Sequence, residues 1–172
     1  MAIDPTSRGF GYAVLEGATR LIDWGTKDTR RADSAAALDQ ATALVEHYRP
    51  DALIVEDTSH RDSRRRDRAQ ELILSVCADA GSHGIAQARI PRRHVLELFA
   101  GNQSVNKRAV VIAISAHFPE LGPRVPPIRK AWMSEDTRTS IFDAVGFALV
   151  FYLQSDSELV QNTPKIPGGR DR

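Results

Sequence analysis

Cysteine and aromatic residues are scarce in this chain of 172 residues: it has one cysteine, and aromatic residues make up 6% of it. A single cysteine excludes an internal disulfide framework, so the fold depends on apolar packing and suits a reducing compartment. Long apolar runs are also missing, because the longest, at 141–153, is interrupted by Asp143. No charged segment followed by an apolar one opens the chain, so we expect a cytoplasmic protein without a membrane partner.

Excess charge of either sign is absent overall, since the formal net charge is +1. The distribution is nevertheless uneven. Residues 61–68 carry five arginines against two aspartates, and residues 89–94 add three more arginines. Such local basic density can attract a polyanion even when the whole chain is nearly neutral, although the run at 61–68 is equally compatible with a solvated loop.

The length suits one domain, which we place at residues 1–154, with a disordered tail at 155–172 that lacks periodicity. The patterns predict, in order, a short first strand, a hairpin at 10–16 and 20–26, a helix at 33–48, a strand at 52–57, a helix at 69–84, a strand at 85–90, helices at 93–101 and 107–118, a proline-rich loop at 119–133 and a helix at 135–154. This order predicts an α/β fold in which helices flank a mixed β-sheet.

Three acids stand where their neighbours are apolar: Asp4 on the first strand, Glu56 at the end of another, and Asp143 in the last helix. A buried carboxylate is costly unless a cation or a hydrogen-bond donor lies beside it. Individually, Asp4 can bind the amides of the following turn, Glu56 an arginine, and Asp143 a neighbouring helix. Together they would form an anionic all-oxygen site for Mg²⁺ or Mn²⁺, which predicts metal-dependent phosphodiester hydrolysis.

The motifs that contain these acids, "AIDPTSRGFGYAVLE", "ALIVE" and "SIFDAVGFAL", resemble in their order the three acidic motifs of RuvC-type Holliday-junction resolvases of the RNase H-like superfamily. The resemblance implies an RNase H-like mixed sheet flanked by helices. It also implies a homodimeric, nucleoid-associated endonuclease that cleaves four-way DNA junctions in recombination or repair. Asp4, Glu56 and Asp143 would then be the catalytic residues and the ligands of two Mg²⁺ or Mn²⁺ ions, with no nucleotide cofactor.

Ser140 departs from that family pattern, which has a second acid or a histidine three residues before the last aspartate. Asp136 lies seven residues before Asp143, about two turns in a continuous helix, so we expect it to face the same way and supply the fourth metal ligand. The alternative for Asp136 is a first-turn residue that interacts with the helix dipole. Thr6 replaces a glycine of the family turn, and Gly9 and Gly11 are expected to allow the close approach instead.

Candidate DNA contacts fall in three groups of cationic and aromatic residues. They are Arg61, Arg64, Arg65, Arg66 and Arg68 after the Glu56 strand, Lys107 and Arg108 at a helix start, and Lys130 and Trp132 before the last helix. Cations there would bind phosphates, and the indole would stack on a base. The alternatives are solvated surface charges and ordinary packing.

Other functions remain compatible with the sequence. One is an RNase H-like nuclease that acts on flaps, RNA–DNA hybrids or RNA, and another, favoured by Ser140, is a non-catalytic junction-binding module. A sugar-kinase-type phosphotransferase would need a second domain for which the chain is too short. The apolar face of 72–77 fits either the core or a dimer contact.

Overall fold

A computed structural model describes residues 1–29, 33–58, 67–100, 106–128 and 136–161. The strands are β1 (Ala2–Pro5), β2 (Gly9–Glu16), β3 (Arg20–Asp28), β4 (Ala52–Glu56) and β5 (Ala86–Ile90). The helices are α1 (Ser34–Tyr48), α2 (Asp67–Ser82), α3 (Arg92–Ala100), α4 (Lys107–His117) and α5 (Thr139–Gln161), with a 3₁₀ helix at Pro119–Arg124. No described helix is long and apolar enough to cross a membrane.

The five strands form one mixed sheet in the order β3-β2-β1-β4-β5. The N-terminal meander β1–β2–β3 is antiparallel, whereas β1, β4 and β5 are parallel to one another. Side chains alternate across each strand, so Ala2 and Ile54 face the layer that contains α3, α4 and α5, while Ile3 and Leu53 face α1 and α2. The predicted mixed sheet flanked by helices is confirmed.

Helix α5 lies on the central strands, and every residue from Ile141 to Val150 is buried, with Asp143 the one charged residue among them. A glycine allows this contact. A Cβ atom placed on Gly11 of β2 would lie 2.5 Å from the carbonyl carbon of Ser140, so only glycine admits the helix at this distance. The close approach expected of Gly11 is therefore confirmed.

The bounds of α5 differ from the predicted 135–154. The helix begins only at Thr139, because residues before it form a turn in which the Thr139 amide donates to the Asp136 carbonyl. It continues to Gln161, since the sequence up to that point has no glycine or proline beyond Gly146 to end it. Apolar periodicity reports which helical residues are buried, and it therefore missed the polar end of this helix.

The apolar face of α2 belongs to the core of the chain. Leu72, Ile73, Val76 and Cys77 are all buried against β-strand and α1 residues of the same chain. Burial also raises the pKa of the Cys77 thiol. Of the two possibilities that the sequence left open for this face, core packing is the one observed.

A carboxylate joins the sheet to α1 on this side. Asp23 of β3 accepts hydrogen bonds through Oδ2 from the hydroxyl of Tyr12 at 2.8 Å and from that of Tyr48 at 2.6 Å. Asp33 caps the start of α1 by accepting from the amides of Ala35 and Ala36. The hydrogen bond to Asp23 raises the pKa of Tyr48 to about 12.

This raised pKa predicts a loss of stability at alkaline pH. An unfolded tyrosine ionises near pH ~10, so the contribution of Tyr48 is complete below that pH and is lost as pH rises towards about 12. Tyr48→Phe should lower the free energy of unfolding by about 1 kcal/mol at pH 7 and should flatten its decline above pH ~10. Urea unfolding at several pH values measures both effects, with Tyr152→Phe, which loses a hydrogen bond to the Leu15 carbonyl, as control. Parallel pH curves for wild type and Tyr48→Phe would contradict the assignment.

Candidate active site

Two neighbouring parallel strands bring Asp4 and Glu56 together. Ala2 pairs with Ile54 and Ile3 with Val55, so the next step in register sets Asp4 of β1 beside Glu56 at the end of β4. Because side chains alternate along a strand, both acids lie on the face of the sheet that is covered by α5. Each is almost fully buried, with 2% of Asp4 and 3% of Glu56 exposed. The carboxyl ends of parallel strands are where α/β sheets place ligands.

The third acid comes from the helix above this edge. Asp143 lies one turn into α5 and is 7% exposed. Its position follows from the Gly11–Ser140 contact, because Gly11 pairs with Asp4 across β1 and β2 while Ser140 precedes Asp143 by three residues. The same close contact that seats α5 on the sheet therefore directs Asp143 towards the two strand acids.

Arg92 contacts all three carboxylates. Its Nη2 donates to Asp4 Oδ1 at 3.2 Å and to Glu56 Oε2 at 3.3 Å, and its Nε donates to Glu56 Oε1 at 3.3 Å. Its Nη1 lies 2.9 Å from Asp143 Oδ1. The acids that the sequence singled out thus converge in space, and a guanidinium occupies the point of convergence.

Helix packing explains why Arg92 reaches this point. Arg92 is the first residue of α3, and Val95, one turn later, packs against Gly146, one turn after Asp143 on α5. The Arg92 guanidinium also lies over the ring of Phe147, 5.6 Å from its centroid. An aromatic face and three carboxylates therefore fix the orientation of one side chain.

Lys107 supplies a second cation. It begins α4, which Asn106 caps by accepting from the amide of Ala109, and its Nζ lies 3.1 Å from Asp143 Oδ2. The side chain is 43% exposed, so its ammonium also faces solvent. Each oxygen of Asp143 therefore has its own cationic partner.

These contacts determine the charge state of the site. Burial by itself would raise the pKa of Asp143, but the charges of Arg92 and Lys107 hold it below its usual range. Burial would likewise lower the pKa of Arg92, and the charges of Asp143, Asp4 and Glu56 instead raise it above its ordinary value. Asp143 and Arg92 are therefore both charged at neutral pH.

The donor chemistry of the three carboxylates fits a hard divalent cation, because Mg²⁺ and Mn²⁺ prefer anionic oxygen ligands. Their present spacing is set by Arg92. Within the described ranges, no three histidine, cysteine, aspartate or glutamate side chains are arranged to hold one ion as they stand. Asp4, Glu56 and Asp143 are the residues that would hold such an ion, and Arg92 contacts all three.

Asp136 and Ser140 have other partners. The helical spacing that placed Asp136 beside Asp143 is wrong, because Asp136 precedes α5 and its carboxylate is held by Arg138, with Nη2 at 2.6 Å from Oδ2. This pairing lowers the pKa of Asp136. The buried hydroxyl of Ser140 donates to the Thr137 carbonyl at 2.5 Å, so Ser140 closes the first turn of α5. Asp136 as a metal ligand stays a prediction.

The candidate DNA contacts are distributed differently from the acids. Arg108 donates to the carbonyl of Pro126, and Arg68 is exposed in the first turn of α2. The remaining candidates, Arg61, Arg64, Arg65, Arg66, Lys130 and Trp132, lie outside the described residues. Their role in DNA binding stays a prediction.

The sequence patterns did not predict that Arg92 belongs to this site. The arginine counted only towards local basic density, although Arg92 follows a buried strand and starts a helix, as ligand-facing residues of α/β folds do. Lys107 was likewise expected only as a candidate phosphate contact. Which of several arginines meets the acids depends on the packing of α3 on α5, and no local pattern encodes that packing.

Comparison with known proteins finds one similar curated sequence and several similar solved structures. No protein-family model matches the chain. Over 93 residues it is 32% identical to the crossover junction endodeoxyribonuclease RuvC of Akkermansia muciniphila, a match that covers 47% of this chain and 56% of that protein. The chain thus spans little more than half the length of this curated relative.

Solved structures match over most of the chain. Thermus thermophilus RuvC matches with a TM-score of 0.59 at 16% identity, covering 88% of this chain and 94% of that one. The same protein in complex with a Holliday junction substrate gives 0.61 at 17%, covering 89% and 94%. The yeast mitochondrial Holliday junction resolvase Ydc2 gives 0.59 at 13%, covering 93% and 79%. These structures share the fold of this chain, so the predicted resemblance to RuvC-type resolvases is confirmed in the fold as well as in part of the sequence.

The Val95–Gly146 contact predicts a coupled pair of substitutions. A Cβ at Gly146 would lie 2.6 Å from Val95 Cγ1, so Gly146→Ala should push α3 and Arg92 away from α5. We expect a loss of about 1–3 kcal/mol in the free energy of unfolding, despite a gain in helix propensity of up to about 1 kcal/mol. Val95→Ala in the same chain should make room for the new methyl group. Urea unfolding of both single variants and the double variant measures the coupling, and strictly additive losses would contradict this packing.

Proposed function

We propose that this protein is a metal-dependent endonuclease that hydrolyses phosphodiester bonds in branched DNA, with four-way junctions as its substrate in recombination or repair. One observation carries the proposal. Three almost fully buried carboxylates, Asp4, Glu56 and Asp143, come from three different elements and converge at the carboxyl edge of the parallel strands. Such a concentration of negative charge is costly for the fold and suits a site that binds cations.

The proposed cofactor is Mg²⁺ or Mn²⁺, with two ions per site held by these carboxylates. When bound, such ions supply a nucleophilic water at neutral pH and stabilise the charge on the leaving oxygen. The chain itself keeps Asp143 ionised through Arg92 and Lys107. Lys107, whose side chain is 43% exposed, would pair with a substrate phosphate.

Branched DNA is proposed as the substrate because two of the three similar solved structures are described in those terms: one holds a Holliday junction substrate and another is a Holliday junction resolvase. Resolution of a symmetric junction needs two opposed cuts, so we propose that the active form is a homodimer. Its location would be the cytoplasm, at the nucleoid.

Cleavage of a labelled four-way junction tests the metal-dependent reaction. We expect nicking with Mg²⁺ or Mn²⁺, none with EDTA, and a loss of at least about 100-fold in rate for Asp143→Asn. Asp39→Asn removes the same charge from an exposed position on α1 and should cleave like wild type. Wild-type rates in Asp143→Asn would remove Asp143 from the site.

A panel of substrates tests the choice of DNA structure. Junction, flap, duplex, RNA–DNA hybrid and RNA are offered at equal concentration with Mg²⁺, and we expect the junction to be cut fastest. Equal cleavage of the others would favour a nuclease of broader substrate range. Tight junction binding by the wild-type protein without any metal-dependent nicking would favour a non-catalytic binding module.

A further inference from the structure

The guanidinium of Arg92 uses all three of its nitrogen atoms on the acids. Nε and Nη2 form a fork on the two oxygens of Glu56, Nη2 also reaches Asp4, and Nη1 reaches Asp143. Lys107 contacts the other oxygen of Asp143. Both oxygens of Glu56 and both oxygens of Asp143 are therefore in contact with a cationic side chain of the chain itself.

A divalent cation at this point needs the same oxygen atoms. An ion within bonding distance of Asp4, Glu56 and Asp143 would also lie close to the guanidinium that now connects them, and like charges at such separations repel strongly in a buried site. Among the described residues, no three metal-ligating side chains are arranged to hold an ion as they stand. Arg92 and a metal ion are alternative occupants of one place.

Arg92 is also in a position to leave. It is the first residue of α3, and its side chain is 32% exposed, whereas the side chains of the acids that it contacts are 3–10% exposed. Its contact with the Phe147 ring contributes only a modest attraction. The cost of its departure is mainly the loss of counter-charge for three buried acids, which a divalent cation would replace.

We propose that Arg92 is an internal counter-ion that competes with divalent metal for Asp4, Glu56 and Asp143. In the metal-free protein its guanidinium holds the three acids together, and metal loading requires it to withdraw from them. The inference rests on the proposed metal-dependent site and adds a residue that sets the metal affinity of that site. Arg92 is thus a positioning residue for the acids and a competitor of the cofactor.

Mn²⁺ binding to the full chain without DNA tests the competition directly. Electron paramagnetic resonance of free Mn²⁺ measures the affinity of wild type and of Arg92→Gln. Because the variant removes one positive charge from the site, we expect it to bind Mn²⁺ about tenfold more tightly or better. Arg89→Gln makes the same change at an exposed position on β5 and should bind Mn²⁺ like wild type.

Thermal unfolding provides a second, independent readout. In EDTA, Arg92→Gln leaves three buried acids without their shared partner, and we expect its Tm to fall by about 5–10 °C. Saturating Mn²⁺ should raise the Tm of Arg92→Gln by more than it raises that of wild type, since tighter binding to the folded state gives larger stabilisation. An equal or smaller rise in the variant would contradict competition.

Wild-type protein and a conservative variant keep the inference testable if Arg92→Gln fails to fold. Arg92→Lys retains the charge but cannot form the fork, and should bind Mn²⁺ with intermediate affinity. NMR of the wild-type protein follows the Nε–H resonance of Arg92, which is assigned by its absence from the spectrum of Arg92→Lys. This proton should be protected from exchange with solvent in EDTA. The protection should be lost when Mg²⁺ is added. An Nε–H signal that stays protected at saturating Mg²⁺ overturns the inference.

The outcomes separate this inference from the proposed function. Equal or weaker Mn²⁺ binding by Arg92→Gln, in a protein that still cleaves junctions with metal, overturns the role of Arg92 alone. Failure of wild type and Arg92→Gln alike to bind Mn²⁺ overturns the proposed metal-dependent function.

Discussion

The mutual repulsion of three buried carboxylates is the constraint on which the rest of this structure depends. Asp4, Glu56 and Asp143 cannot remain ionised side by side in a protein interior unless positive charge stands between them. Arg92 and Lys107 supply that charge. Electrostatic contacts therefore join the start of α3 to the parallel strands and to α5, and the start of α4 to α5.

Close packing at two glycines brings these charged side chains within contact distance of one another. Gly11 lets the first turn of α5 lie directly on β2, and Gly146 lets Val95 of α3 lie directly on α5. Both contacts are adjacent to the site, the first beside Asp4 in register and the second one turn beyond Asp143. A methyl group at either glycine would separate elements that carry charged partners, so packing and electrostatics at this edge stabilise each other.

Ser140 shows how the chain uses the position at which the RuvC-type pattern has another metal ligand. Its hydroxyl closes the first turn of α5, and its backbone packs against Gly11. A smaller number of acids lowers the repulsion that the fold must overcome, and a single guanidinium can then contact all of them. The uncharged Ser140 and the presence of Arg92 at the centre of the site are physically consistent with each other.

The sequence by itself determined the elements and the three acids. Alternation and apolar runs predicted the hairpin, the parallel strands and the helices, because burial on a sheet or helix face imposes a period that can be read locally. A carboxylate among apolar neighbours, as at Asp4, Glu56 and Asp143, is likewise visible without a structure because it conflicts with its surroundings. The ordered motifs around them sufficed to indicate the fold.

Only the tertiary structure decided which cations meet those acids. Arg92 was one of many arginines, and its selection depends on the distance between α3 and α5. The turn before Thr139, which removed Asp136 from the helical face of Asp143, depends on the pairing of Asp136 with Arg138 and on local backbone hydrogen bonds. Long-range electrostatic partners are chosen by how elements pack in space, and sequence periodicity carries no record of that choice.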